Sequence, residues 1–166
     1  MLHKAVKIRL YPAPEQQILL SQHFGCARWW WNFALNKSIK VYKLKKAEKT
    51  LWLSECYSQV LQAATLNLTT AYKNFFAGRA RFPRYKSKHG KQSIQYPQNV
   101  KVLEGFIQFP GKIGKIKAKL HRSIEGTIKT VTVSLEPSGK YFASVLSESV
   151  GENPAVSMNG KIIGID

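Results

Sequence analysis

Between Gly78 and Lys88 five cations, Arg79, Arg81, Arg84, Lys86 and Lys88, are interleaved with two rings, Phe82 and Tyr85. Phosphates are held by spaced cations and unstacked bases by flat rings, so this order of side chains suits a nucleic-acid backbone. A solvated basic loop has the same composition, and a run of charge does not by itself separate the two. The backbone around the run is informative. Gly78 sits where glycine ends a helix, and Pro83 keeps the following segment extended.

The strip needs an element to present it. Tyr72, Phe75 and Phe76 fall on one face of a helix leading into it, with Lys73 and Asn74 off that face. Upstream the same stripe continues through Ala71, Leu68, Ala64, Leu61, Val60 and Cys56. This second helix is expected to begin near residues 50–55, with Ser54 as its N-cap. Ser58, Gln59 and Gln62 lie in its first two turns, off the stripe. Amides there have the geometry that reads base edges, because glutamine pairs with both donor and acceptor of adenine. Ordinary surface glutamines would give the same pattern.

The first long helix is expected from Glu15 to about Tyr42, with Ile18, Leu19, Phe24, Ala27, Trp30, Trp31, Ala34, Leu35 and Ile39 on its apolar side. Gly25 marks a break or a close-packing point in it. Trp29, Trp30 and Trp31 cannot share one core, since consecutive helical residues point ~100° apart. Two are expected in the core and one against another element or a ligand. Lys37, Lys40, Lys43, Lys45, Lys46 and Lys49 then crowd around one acid, Glu48. Such a cluster repels itself without a counter-charge.

Outside the helices the period is two. Val6, Ile8 and Leu10 alternate with Ala5, Lys7 and Arg9 in a half-buried strand that Tyr11-Pro12-Ala13-Pro14 ends. Short strands are expected near 93–96, 100–103, 106–109, 115–120, 128–135 and 140–146, separated by glycine and proline turns. Their number and spacing indicate an α+β protein with a small antiparallel barrel or sandwich. Lys115, Lys117 and Lys119 fall on one face, opposite Ile116, Ala118 and Leu120, and His121 and Arg122 extend this basic wall.

Composition supports a polyanion partner. The 166 residues have 44% hydrophobic and 11% aromatic content, as a folded protein does, with 26 Lys+Arg against 9 Asp+Glu and a net charge of +17. Residues 1–130 hold 24 of the cations and 5 of the acids; residues 131–166 hold 2 and 4. No apolar run approaches the ~18 residues of a membrane span. The N-terminus lacks an apolar signal core, so a cytoplasmic location is expected. Cys26 and Cys56 lack zinc-like spacing and are expected to be buried thiols. His121 has no partners that would make it a metal ligand.

Several stretches in order resemble the TnpB family of transposon-encoded proteins. These are Leu10-Tyr11-Pro12 with Gln16, Arg28-Trp29-Trp30-Trp31-Asn32, residues 71–76, Phe82 to Lys88, Gln92 to Pro97, Ile113 to Lys117 and Ile128 to Val133. Ile163-Gly164-Ile165-Asp166 is similar to the first motif of that family's RuvC-like nuclease domain. The resemblance implies an RNA-guided DNA endonuclease. Residues 1–10 and 90–150 would form an OB-like wedge barrel, and residues 11–89 an inserted helical recognition domain of helix-turn-helix type. Residues 151–160 would be a linker, and residues 161–166 the start of the nuclease domain. It implies two partners, a guide RNA derived from the transposon end and a target duplex DNA.

On this resemblance the nucleic-acid-binding set is Arg28, Lys73, Arg79, Arg81, Arg84, Tyr85, Lys86, Lys88, Lys115, Lys117, Lys119 and Arg122. Ser58, Gln59 and Gln62 would face the motif beside the target, approached from the wedge by Gln98. Asp166 would be the first nuclease carboxylate and a partial metal ligand. Mg2+ is expected for the full-length nuclease and no cofactor for this part. One carboxylate does not position two metals. A chain ending directly after an apolar strand run is expected to be a fragment that binds and does not cut. Two other functions fit parts of the pattern: a stand-alone helix-turn-helix DNA-binding accessory or regulator of a transposase, and a structural RNA-binding protein of ribosomal type.

Overall fold

The computed structural model of the chain describes residues 1–37 and 48–150. The elements are β1 (Leu2–Tyr11), α1 (Pro14–Lys37), a 3-10 segment (Glu48–Glu55), α2 (Ser58–Phe76), β2 (Gln92–Tyr96), β3 (Lys101–Leu103), β4 (Phe106–Phe109), a 3-10 turn (Gly111–Ile113), β5 (Gly114–Lys119), β6 (Thr127–Leu135) and β7 (Tyr141–Ser149).

The strands form one seven-stranded sheet in the order β2-β6-β7-β1-β5-β4-β3, antiparallel at every step. β2 and β4 are five strands apart, ~24 Å on a flat sheet at ~4.8 Å per strand. Yet the Tyr96 and Phe109 rings meet edge-on with centroids 5.2 Å apart. The sheet is therefore curled into a half-barrel, the α+β, barrel-like class read from the sequence. Val131, Val133, Ala143, Val145, Ile8, Ile107 and Ile116 fill its inner face and are all fully buried. Lys115, Lys117 and Lys119 point outward on β5, as their alternation requires.

Both helices lie between β1 and β2 in the chain and join the same core. Trp30 is fully buried, and its indole donates to Thr65 Oγ1 at 2.8 Å, tying α1 to α2. Trp29 stacks on Phe33 at 4.8 Å and meets Trp52 edge-on at 5.1 Å. Gln16 Nε2 donates to the carbonyls of Ile113 and Lys115, at 2.9 and 2.8 Å, fixing the start of α1 to the sheet. Buried His23 on α1 bonds the Tyr96 hydroxyl of β2 through Nδ1 at 2.9 Å. Burial, and secondarily Cys56, push the Tyr96 phenol above its ordinary value, so it stays protonated. Cys26 and Cys56 are both buried.

Three expectations change. Helix α1 runs through Gly25 without a break, and a Cβ there would meet nothing closer than Arg28 Nη2 at 4.0 Å. Ile18 is 61% exposed while Leu20 is fully buried, because the buried stripe Leu20–Phe24–Ala27–Trp31–Ala34 follows the other side of the helix. Ser54 is not an N-cap. It lies within the 3-10 segment, which buries Leu53 and is followed by buried Cys56, and α2 starts after Tyr57 with no side-chain cap. The lysines at 40, 43, 45 and 46, residues 151–160 and Asp166 fall outside the described residues.

Candidate nucleic-acid interface

Helix α2 stops as the glycine requires. Gly78 has φ +70°, its N–H donates to Phe75 O at 2.9 Å, and the Arg79 N–H donates to Asn74 O at 2.8 Å. Ordinary L-residues pay to adopt that φ. The chain then runs without regular structure to Ser87, but it is anchored. Pro83 is buried while its neighbours on both sides are exposed. Phe82 meets Phe75 and Tyr72 edge-on at 5.2 and 5.7 Å. The Trp31 indole donates to Arg84 O at 3.0 Å. Asn32 bonds both the carbonyl and the N–H of Lys86, at 2.9 and 2.7 Å.

This anchoring directs the side chains. Arg79, Arg81, Arg84, Tyr85 and Lys88 are exposed along a fixed backbone. Lys86 folds back so that Nζ lies 4.1 Å from the Trp31 ring centroid. Desolvation there lowers its pKa from the ordinary lysine value, although the residue as a whole remains solvent-accessible. Among the described residues, the ion pairs join His3 and Lys129 to Glu148, Lys4 to Glu125 and Lys7 to Glu136. None neutralises the strip, so its charge is available to a polyanion.

The other candidates are distributed. Arg28 is half-buried and donates to Gln92 Oε1 at 2.8 Å. Gln92 Nε2 in turn reaches the carbonyls of Ser87, Lys88 and Gly90 at 3.1, 2.9 and 2.8 Å, so Arg28 acts on the loop that closes the strip. Lys73 is exposed in the last turn of α2, where a cation also suits the helix dipole. Lys115, Lys117 and Lys119 form a separate row on β5, and Arg122 is exposed in the loop that follows it.

The amides converge from two elements. Gln59 Nε2 on α2 donates to Gln98 Oε1, beyond β2, at 3.3 Å, and Gln59 Oε1 is buried with no hydrogen-bond partner among the described residues. Ser58 and Gln62 are exposed beside them. Asn99, with φ +62°, donates to the Tyr57 hydroxyl at 2.8 Å and holds the turn carrying Gln98. Asn32, Gln92 and Asn99 were missed from sequence because their partners lie far along the chain. The described residues contain no group of His, Cys, Asp or Glu that would hold a metal. They offer no ligand set for Mg2+, and Asp166 lies outside them.

A helical insertion in a curled sheet, with an anchored cationic strip, a separate lysine row on β5 and a convergent amide pair, is an α+β module with exposed basic rows. A family model described as a helix-turn-helix domain, HTH_OrfB_IS605, matches residues 1–47. The described part of that match is β1 and α1. The chain is 34% identical over 98% of its length to "Putative RNA-guided DNA endonuclease InsQ" of Escherichia coli K12. It is also 34% identical over 98% of its length to "Putative RNA-guided DNA endonuclease" of Streptomyces pristinaespiralis. A third relative, "Virulence protein VsdF" of Salmonella dublin, is 34% identical over 53% of the chain and 96% of its own length. The chain belongs to the TnpB family. It spans 44% and 45% of the lengths of the two endonuclease-named relatives. Among the described residues no helix is long and apolar enough to cross a membrane.

Proposed function

We propose that this chain is the nucleic-acid-binding portion of a TnpB-type RNA-guided DNA endonuclease. It holds a guide RNA derived from the transposon end and reads a short motif in the target duplex. The observation that carries this reading is the strip Arg79–Lys88, whose cations pair with no acid among the described residues and whose backbone is tied to α1. Residues 1–10 and 90–150 serve as the wedge and residues 11–89 as the recognition insertion. The strip and Lys115, Lys117, Lys119 and Arg122 contact phosphates, which fix register but carry no sequence information. Gln59, Gln62, Ser58 and Gln98 supply the base-edge contacts. Asp166 belongs to the whole-protein reading, as the first carboxylate for Mg2+.

The test is binding of the chain to structured RNA across a salt series. If about six phosphates are neutralised, affinity falls roughly a thousandfold between about 50 and about 200 mM salt. Changing Arg79, Arg81 and Arg84 together to Ala weakens binding and flattens the slope while circular dichroism stays native. Salt-independent binding, or an unchanged triple variant, refutes the reading. Tight binding to duplex DNA with none to RNA favours the stand-alone helix-turn-helix regulator, in line with the family model over residues 1–47.

A further inference from the structure

A groove of about 940 Å³ lies on the outer face of the sheet, away from the amide pair. Its walls are the turn from Lys88 to Gln92 and the β6–β7 hairpin through Glu136 to Gly139. Its floor is built by strand register. Ser93 on β2 faces Ser134 on β6, Thr132 on β6 faces Ser144 on β7, and Ser144 faces Lys7 on β1. Four hydroxyls thus lie side by side across three strands, ~4.8 Å apart from strand to strand. Among the described residues none of these side-chain oxygens has a hydrogen-bond partner.

The rim is cationic. Lys7, Lys88 and Lys91 line it with His89, against one acid, Glu136. Lys7 pairs with Glu136 at 2.7 Å, but both are exposed, and a pair of that kind contributes little and yields readily to a phosphate. The hydroxyl row continues into rings. Ser134 faces Phe142 and Phe142 faces Arg9, whose guanidinium lies 5.2 Å from the Phe142 centroid and 5.4 Å from that of Tyr11. Tyr11 is 49% exposed.

We propose that this groove holds the sugar–phosphate chain of single-stranded RNA, continuing the path that the strip begins at Lys88. Lysines at the rim take the phosphates. Hydroxyls both donate and accept, so the floor can pair with 2′-OH groups, which mark RNA against DNA. Tyr11 beyond the floor offers a ring that only unstacked bases reach. The proposal rests on the reading that the chain binds RNA, and it places a second contact outside the strip.

The test uses fluorescein-labelled oligo(U) and oligo(dU) of equal length with the full chain, read by anisotropy. The wild type is expected to prefer oligo(U). The variant Thr132→Val with Ser134→Ala and Ser144→Ala keeps the outward face of β6 and β7 compatible with strand. It should lower oligo(U) affinity about fivefold or more, the worth of a single hydrogen bond, and leave oligo(dU) binding unchanged. Lys91→Gln should weaken both and reduce the salt slope by about one. Oligo(U) carrying 4-thiouridine should crosslink within residues 131–144. The groove proposal is overturned if the three-hydroxyl variant keeps the RNA preference, or if crosslinks fall only on residues 79–86. Both results leave the strip reading intact. Absence of RNA binding by the wild type overturns both.

Discussion

Asn32 and Lys86, 54 positions apart, clasp each other through two hydrogen bonds. The Asn32 Nδ2 donates to Lys86 O at 2.9 Å, and the Lys86 N–H donates to Asn32 Oδ1 at 2.7 Å. One amide thus plays the part of a neighbouring strand for one residue of an irregular segment. With the adjacent Trp31–Arg84 bond, it converts a basic loop into a fixed array of charges, so less ordering entropy is lost on binding.

Asn32→Ala should release that array without unfolding the core. Two solvent-accessible hydrogen bonds are lost, each worth about 0.5–1.5 kcal/mol, and the low end applies here. We expect a loss of about 1 kcal/mol in urea unfolding, together with faster tryptic cleavage after Arg81, Arg84 and Lys86. RNA affinity should fall although no charge has been removed. Unchanged cleavage at those sites would mean that the clasp does not hold the strip.

Gln59 and Gln98 should act as a unit in motif reading. They bond each other at 3.3 Å, Gln98 is exposed and Gln59 half-buried, so the pair lies where a base edge can reach it. A good bidentate contact discriminates by about 1–3 kcal/mol. In a full-length protein loaded with RNA, Gln59→Ala and Gln98→Ala should each shift the motif preference, and their effects should not add. RNA affinity should change little. The readout is cleavage of a library randomised beside a fixed target, and an unaltered motif in the double variant rejects the assignment.

His23 should make stability fall on acidification. Burial lowers its pKa below the ordinary 6.5, only partly offset by a hydrogen bond to the Glu55 backbone. Below pH 6.5 the unfolded chain takes up a proton that the folded chain resists, so stability is lost as pH falls through that window. The slope approaches about 1.4 kcal/mol per pH unit. His23→Gln should be less stable at neutral pH yet flatter in acid. Parallel urea midpoints for both proteins between about pH 7.5 and 5 would assign the effect to other groups.

Gly126→Ala should be far worse than Gly139→Ala. Both glycines have positive φ, +84° and +74°. A Cβ at Gly126 would overlap the Glu148 carbonyl at the β6–β7 pairing, whereas one at Gly139 meets nothing within 4 Å. Gly139→Ala should cost about 1–2 kcal/mol, the left-handed strain alone. Gly126→Ala adds displacement of a strand and should exceed that by about 2 kcal/mol or more, measured by thermal melting. Equal costs would show that β7 yields without penalty.

Local pattern determined much of this protein. Alternation in Lys115–Leu120 assigned lysines to the outside and Ile116 and Ala118 to the core, because side chains on a strand must alternate. Gly78 and Pro83 mark the helix end and the extended strip, because glycine freely adopts the positive φ that ends the helix and proline fixes its own φ. The excess of cations in residues 1–130 points to a polyanion whatever the fold, because net charge depends on composition alone. Which faces meet was decided only by tertiary structure. Periodicity tells a residue which side of its own element it is on, not what lies opposite. The strand order β2-β6-β7-β1-β5-β4-β3 joins segments more than a hundred residues apart, and it sets the hydroxyl row through register alone. Ile18 looked apolar and therefore buried, yet the packing of α1 left it in solvent. Arg28 looked like one more cation for phosphate, and the fold turned it toward Gln92. The Asn32–Lys86 clasp and the Gln59–Gln98 pair have no local signature, because each depends on two backbones brought together by a core that neither residue belongs to.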